Sequence, residues 1–268
     1  MASVTTHYER SDAWNLVHAG LERLAPDGRP LDVDELAGFD HFHTAGPLAT
    51  ARMAELLSPT AADTVLDAGC GLGGPARHLA QRFGCRVVGV DLTPMFVDIG
   101  RVLNERTGLT DLVRLQVGDV TALALSDGSV DHAWTQHVAM NIADRPRFYG
   151  EVRRVLRTGG RFAMFDVIDG GGGELLLPVP WATEAAHNHL VTRDRQNELL
   201  ARAGFRIDLD EDPTDELLAT MQQMLTSPGT SPLTTALFID DLETKGPMYL
   251  RNLEEQRTAL SLVVGTAI

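Results

Sequence analysis

The chain has 268 residues, 44% of them hydrophobic, and a net charge of −14. That length builds a sizeable core, either one large domain or one domain with an appended cap. An acidic surface repels a phosphate backbone and anionic lipid, which argues against nucleic acid and membrane surfaces as partners. The two cysteines, Cys70 and Cys85, match neither a disulfide framework nor a zinc pattern. The polar start MASVTTHYERSD has no secretory apolar core, and no apolar run approaches the ~18 residues of a membrane span. A cytoplasmic protein is expected, with its oligomeric state undefined.

Residues 11–24 read as a helix. Ser11 or Asp12 can cap it, and Trp14, Leu16, Val17, Leu21 and Leu24 recur at helical spacing. A polar link, APDGRP, follows. Then come GFDHFHTAG, rich in rings and imidazoles, and a second helix over about 47–57. Residues 1–60 therefore read as a helical cap, and 61–268 as the core.

From residue 64 strands and helices alternate. TVLDAG, RVVGVDL, LVRLQVGD, VDHAWTQ and RFAMFDVI read as strands. PARHLAQRF, PMFVDIGRVLNERTG and RPRFYGEVRRVLRTGG read as helices, the last closed by Gly159 and Gly160. The order predicts an α/β fold with a doubly wound, Rossmann-like, mostly parallel sheet. An insertion at about 169–192 interrupts it. TRDRQNELLARAG resumes as a helix, FRIDLDED as a strand. Residues 213–257 hold two helical stretches around TSPGTSP, and TALSLVVGTAI reads as the last strand.

VLDAGCGLGGPARHLA is a strand, a glycine turn and a helix start, which suits a nucleotide-type cofactor. Gly69, Gly71 and Gly74 fit a dinucleotide pattern. Asp67, Gly69, Gly71 and Gly73 fit an S-adenosylmethionine pattern equally well. Asp67 ends the first strand, where a carboxylate opposes a pyrophosphate but suits a sulfonium and an amino group. Asp91 ends the second strand and can accept two ribose hydroxyls, as either cofactor needs. Asp119 follows the third, where it can accept an adenine amino hydrogen beside Val120; Leu92 and Gln136 complete the candidate cofactor set.

On these residues the sequence resembles the class I S-adenosylmethionine-dependent methyltransferases. It is most similar to the small-molecule branch with sarcosine/dimethylglycine, tocopherol and sugar O-methyltransferases. VLDAGCGLGG, VVGVDL, VGDVTAL and EVRRVLRTGGRFAMFD carry the likeness, which runs from about Phe39 to Phe205. The resemblance implies a seven-stranded sheet of order 3-2-1-4-5-7-6 with strand seven antiparallel. It implies methyl transfer from S-adenosylmethionine to a small, partly apolar metabolite. Several relatives carry a histidine where Asn141 stands, and Asn141 cannot take a proton.

The candidate bases are His137 first, then His41 and His43, which share one side of an extended segment. No metal site is expected, since a carboxylate or cysteine at ligand spacing is missing. For the acceptor, Phe42, Asn141, Trp181 and His187 are candidates; Trp14 is another, with plain helix packing as its competing reading. The glycines at 170–173 read as a hinge for the apolar segment LLLPVPW that follows, a wall or lid over the acceptor. Two other functions compete: a non-methylating cyclase or ligand-binding scaffold on the same fold, and an NAD-dependent oxidoreductase.

Overall fold

The computed structural model describes residues 13–226 and 233–268. Ser11, Asp12 and most of TSPGTSP lie outside the described residues. Three helices come first: α1 (Ala13–Leu24), α2 (Val33–Asp40) and α3 (Gly46–Leu57). The alternating part follows as β1 (Thr64–Ala68), α4 (Gly74–Phe83), β2 (Arg86–Asp91), α5 (Pro94–Arg106), β3 (Val113–Val117), β4 (Val130–Gln136), α6 (Arg145–Val155) and β5 (Leu156–Asp169). The chain closes with α7 (Arg193–Arg202), β6 (Phe205–Glu211), α8 (Thr214–Thr226), α9 (Leu242–Glu254) and β7 (Thr258–Ala267).

The seven strands form one sheet of order β3-β2-β1-β4-β5-β7-β6. β7 pairs antiparallel with both β5 and β6, and the pairs among β1 to β5 are parallel. Period-two alternation divides the core. Val65 packs on one face with Met53, Leu79 and Ala163. Leu66, its neighbour, packs on the other with Phe148, Val152 and Phe162.

The turn between β1 and α4 is shaped by glycines in the left-handed region, Gly69 at φ 79° and Gly73 at φ 79°. A Cβ at Gly69 would lie 2.3 Å from Val138 Cγ2, so no larger residue fits the close approach of this turn to the segment after β4.

The structure departs from expectation in three places. RPRFYGEVRRVLRTGG does not stay helical to its glycines. α6 stops at Val155, and Leu156 is already paired with Val130 of β4; sheet pairing there overrides local helix propensity. The helix α2 was not predicted. Its signal is the capping box at Asp32, whose side chain accepts from Asp34 N at 3.0 Å while its own N–H reaches Glu35 at 2.9 Å. The glycines at 170–173 do not form a free hinge. Gly170 and Gly172 donate to the carbonyls of Arg257 and Gln256, and a Cβ on either would fall 2.3 Å from a backbone oxygen. The run is glycine because two backbones touch.

The N-terminal helices seat on the sheet through a third cluster. Val17, Leu21 and Phe39 pack with Ile99 and Leu103 of α5 and with Phe238. Side chains of this size contribute roughly 1.5–3 kcal/mol each on burial. A charged link fixes their register. Arg77, fully buried on α4, reaches Asp40 Oδ2 at 2.7 Å, Asn104 Oδ1 at 2.8 Å and Gly100 O at 3.3 Å. Replacing Arg77 by Leu leaves the Asp40 carboxylate buried beside only one imidazole. The expected loss of unfolding free energy in urea titrations is about 3–5 kcal/mol. A loss under ~1 kcal/mol, the scale of a surface pair, would show that the link does not hold the two parts together.

Candidate functional site

A cavity of about 590 Å³ opens at the carboxyl ends of β1 to β4, beneath the N-terminal segment and α9. Strand ends of an open parallel sheet are where such folds hold ligands. Eight of the nine predicted cofactor residues line it: Asp67, Gly69 and Gly71 from the first turn, Asp91 and Leu92, Asp119 and Val120, and Gln136. Gly73 does not. It caps α4 one step behind the wall.

Each acid is placed differently. Asp91 accepts Gly71 N–H on Oδ2 and Thr93 N–H on Oδ1, both at 2.9 Å, which fixes the carboxylate plane across the glycine turn. Burial nevertheless pushes its pKa up. Asp119 lines the cavity and accepts the Thr121 N–H and hydroxyl through Oδ1. Asp67 is buried, its Oδ2 has no partner among the described residues, and burial pushes its pKa up to about 7. The Trp134 side chain works against that shift without cancelling it.

His137, His41 and His43 all line the cavity. Their rings touch in sequence: His41 and His43 centroids lie 5.6 Å apart, His43 and His137 6.0 Å. Chemically they differ. His137 sits at φ 53°, a conformation costly for a non-glycine residue, and donates its N–H to Phe165 O at 2.8 Å. Burial lowers its pKa to about 3, so it is neutral and weakly basic. His43 is also held neutral, chiefly by burial and then by its two imidazole neighbours. Its Nδ1 lies 3.2 Å from the Thr44 carbonyl and its Nε2 3.0 Å from the Thr50 hydroxyl, which also reaches Gln136 Oε1 at 3.1 Å. Both ring nitrogens of His43 are therefore spent. His41 Nδ1 lies 2.8 Å from Asp40 Oδ1, and its buried Nε2 has no partner among the described residues.

Of the predicted acceptor residues, Phe42, Asn141 and Trp181 line the cavity, while Trp14 and His187 do not. Trp14 is on the outer face of α1, 38% exposed, its ring against His18. His187 lies in a short 3₁₀ turn; His189, two residues on, takes the place in the wall. Trp181 packs edge-on to Tyr249 at 5.2 Å, and the Tyr249 hydroxyl bonds to Thr44 Oγ1 at 2.9 Å. Sequence reasoning missed Tyr249, Met221 and Ile239. They come from the C-terminal helical region, and helical spacing alone does not say which face meets a ligand.

The charge of the wall is one-sided. Five aspartates line it, at positions 40, 67, 91, 119 and 144, and among the described lining residues there is neither lysine nor arginine.

Residues 66–164 match the family described as a methyltransferase domain. The sterol 24-C-methyltransferase of Eremothecium gossypii is 30% identical over 193 residues, 66% of this chain and 51% of that protein. The chain thus spans about half the length of the curated relatives it matches. Among solved structures, the geranyl diphosphate C-methyltransferase of Streptomyces coelicolor A3(2) superimposes with a TM-score of 0.69 at 21% identity, over 93% of this chain and 98% of that one. The [4+2]-cyclase SpnF superimposes with a TM-score of 0.67 at 20% identity, over 95% and 94%. These likenesses in structure establish the fold.

The strain at Asp67 has a pH signature in the ligand-free protein. Its folded pKa is raised, so the unfolded carboxyl, near ~3.9, ionises first and folding is penalised as pH rises between the two values. The penalty is absent below pH ~4 and complete above pH ~7. Asp67→Asn removes it. Denaturant titrations should find the variant more stable than wild type at pH 8, on the order of 2–4 kcal/mol, with the gain vanishing toward pH 4. A variant that is less stable at pH 8 would show that Asp67 is not under strain.

Proposed function

We propose a function for a chain that carries a class I S-adenosylmethionine-dependent methyltransferase domain: it transfers the donor's methyl group to a small, partly apolar metabolite bearing no phosphate. The observation that carries this reading is the wall of carboxylates without a cation. A donor with a sulfonium and an ammonium group is attracted to it, and a dinucleotide pyrophosphate is repelled. The same charge disfavours phosphorylated and diphosphate acceptors.

The residues fit the donor. Asp91, its plane already fixed, would take the ribose hydroxyls. Asp119 would take the adenine amino group, with Leu92 and Val120 against the ring. Asp67 and Gln136 would take the methionine part; Asp67 Oδ2 and Gln136 Nε2 are buried polar atoms without partners among the described residues. When bound, the donor supplies a methyl group already activated by the sulfonium.

The chain's own contribution is positioning, charge and exclusion of water. Phe42 lies over the turn, close enough that a Cβ on Gly71 would be 3.3 Å from its ring. The segment at 169–192 and the helices within 213–257 form the acceptor wall, with Trp181, Tyr249 and Leu242 as its apolar part. An acceptor held about 3 Å from the methyl and in line with the leaving sulfur gains most of its rate from orientation in a dry site. The net charge of −14 supports a cytoplasmic protein without a nucleic-acid partner. Among the described residues no helix is long and apolar enough to cross a membrane.

Calorimetry with S-adenosylhomocysteine, NAD and NADP tests the donor. Binding of the first alone is expected, and Asp91→Ala should weaken it by more than about tenfold, or ~1.4 kcal/mol. Binding of a nicotinamide nucleotide instead would overturn the reading. A screen with labelled methyl donor should then give product from uncharged apolar acceptors, and a phosphorylated form of the same acceptor should lose at least about tenfold in kcat/KM. Preferred use of the phosphorylated form would remove the acceptor class from the proposal.

A further inference from the structure

Two polar rings on the acceptor side of the cavity have their nitrogens occupied. The Trp181 indole N–H donates to Asn188 Oδ1 at 3.2 Å, so Trp181 offers the cavity only its ring. His43 has a neighbour at each nitrogen. A pair of hydroxyls is different. Thr44 and Tyr249 both line the cavity, 7% and 6% exposed, and their side-chain oxygens lie 2.9 Å apart. Their surround is apolar: Tyr249 packs in one cluster with Trp181, Met140 and Ala45.

Two hydroxyls hold two protons, and their mutual bond uses one. Whichever oxygen donates, one O–H is left over, and neither hydroxyl has another partner among the described residues. Burial, helped by the Asp166 charge, raises the Tyr249 pKa and keeps the phenol protonated. A phenol is more acidic than an aliphatic alcohol, so Tyr249 donates to Thr44 Oγ1 and the Thr44 O–H is the one left over. Receiving the phenol proton polarises that hydroxyl and strengthens it as a donor. A donor in an apolar wall is costly unless an oxygen accepts from it. Charge selects the kind of oxygen. With five aspartates in the wall and neither lysine nor arginine among its described residues, a carboxylate or phosphate oxygen is disfavoured. A carbonyl oxygen is uncharged and brings no proton that needs a partner of its own.

Resting on the methyl transfer proposed above, we propose that Thr44 is a specificity-determining donor of the acceptor site, and that the acceptor is an apolar metabolite carrying a carbonyl oxygen that takes the Thr44 O–H. That oxygen is held, not methylated, because a lone pair engaged by a donor is withdrawn from attack. The methyl group goes to another atom of the same molecule. Tyr249 is a positioning residue in this arrangement. It comes from α9, 205 positions along the chain, and its bond orients the Thr44 hydroxyl.

The probes are α-tetralone and tetralin, the same skeleton with and without the oxygen, titrated by calorimetry into the whole protein saturated with S-adenosylhomocysteine. Thr44→Val replaces the hydroxyl by a methyl group of similar shape. The ratio of ketone to hydrocarbon affinity should fall at least about fivefold in that variant and return in Thr44→Ser. In the infrared spectrum of the wild-type complex the carbonyl stretch should lie at lower frequency than in a hydrocarbon solvent, as it does for a carbonyl that accepts a hydrogen bond. Thr44→Val should move it back. Tyr249→Phe keeps the Thr44 O–H and should lower the affinity ratio by less than Thr44→Val does. Four results overturn the proposal: a smaller fall in Thr44→Val, a carbonyl stretch that does not move on binding, a larger effect in Tyr249→Phe than in Thr44→Val, or binding of neither compound. If Thr44→Val loses its fold, the wild-type carbonyl stretch decides alone. Failure of the wild type to bind S-adenosylhomocysteine is a different outcome, and strikes the donor assignment instead.

Discussion

The buried guanidinium of Arg77 is the constraint on which the site depends. It stands on the helix that follows the glycine turn, and its donors reach Asp40 at the end of α2 and Asn104 and Gly100 on α5. A fully buried cation is expensive unless each partner is in place, so this one tolerates little displacement of either helix. The consequence is geometric. The segment from Asp40 to Ala45 is laid across the turn, and with it Phe42, His41 and His43 are delivered to the cavity.

Charge then decides what the cavity can take. Acids stand at the ends of three adjacent parallel strands because the chain reverses direction there, in turns where short polar side chains bond to nearby backbone. Asp91 and Asp119 each fix their own turn while retaining acceptor capacity. Asp67 makes no such bond through Oδ2 and is held in a strained, buried state. The fold keeps that group, when ionised, at a cost in stability.

The imidazoles show how identical side chains acquire different chemistry. Burial alone makes His137 a poor base. Two backbone and hydroxyl contacts make His43 a structural link between Thr44 and Thr50, one step from Gln136. A carboxylate neighbour orients the His41 ring through Nδ1, and its Nε2 is buried without a partner among the described residues. Their order in the chain says nothing of these different surroundings. Fold alone cannot assign the reaction either, since a cyclase and methyltransferases share this architecture.

The sequence by itself determined the sheet and the strand-end turns that line the cavity. Strand ends, glycine turns and the acids that follow them are local features, set by residues within a few positions of one another, and so they are legible in order along the chain. It also contained the capping box of α2, visible in Asp32 and Glu35 though not read. What tertiary structure decided was everything that depends on contact between distant segments. Gly159 and Gly160 fell inside a strand because β4 pairs on either side of them, with Leu156 and again from Arg161. The glycines at 170–173 were pinned because residues 255–257 lie against them. Trp14 stayed on the surface and Tyr249 entered the wall because helix spacing fixes a face but not its neighbour. The pairing of Asp40 with Arg77 spans 37 positions, and no local pattern encodes a partner that far away.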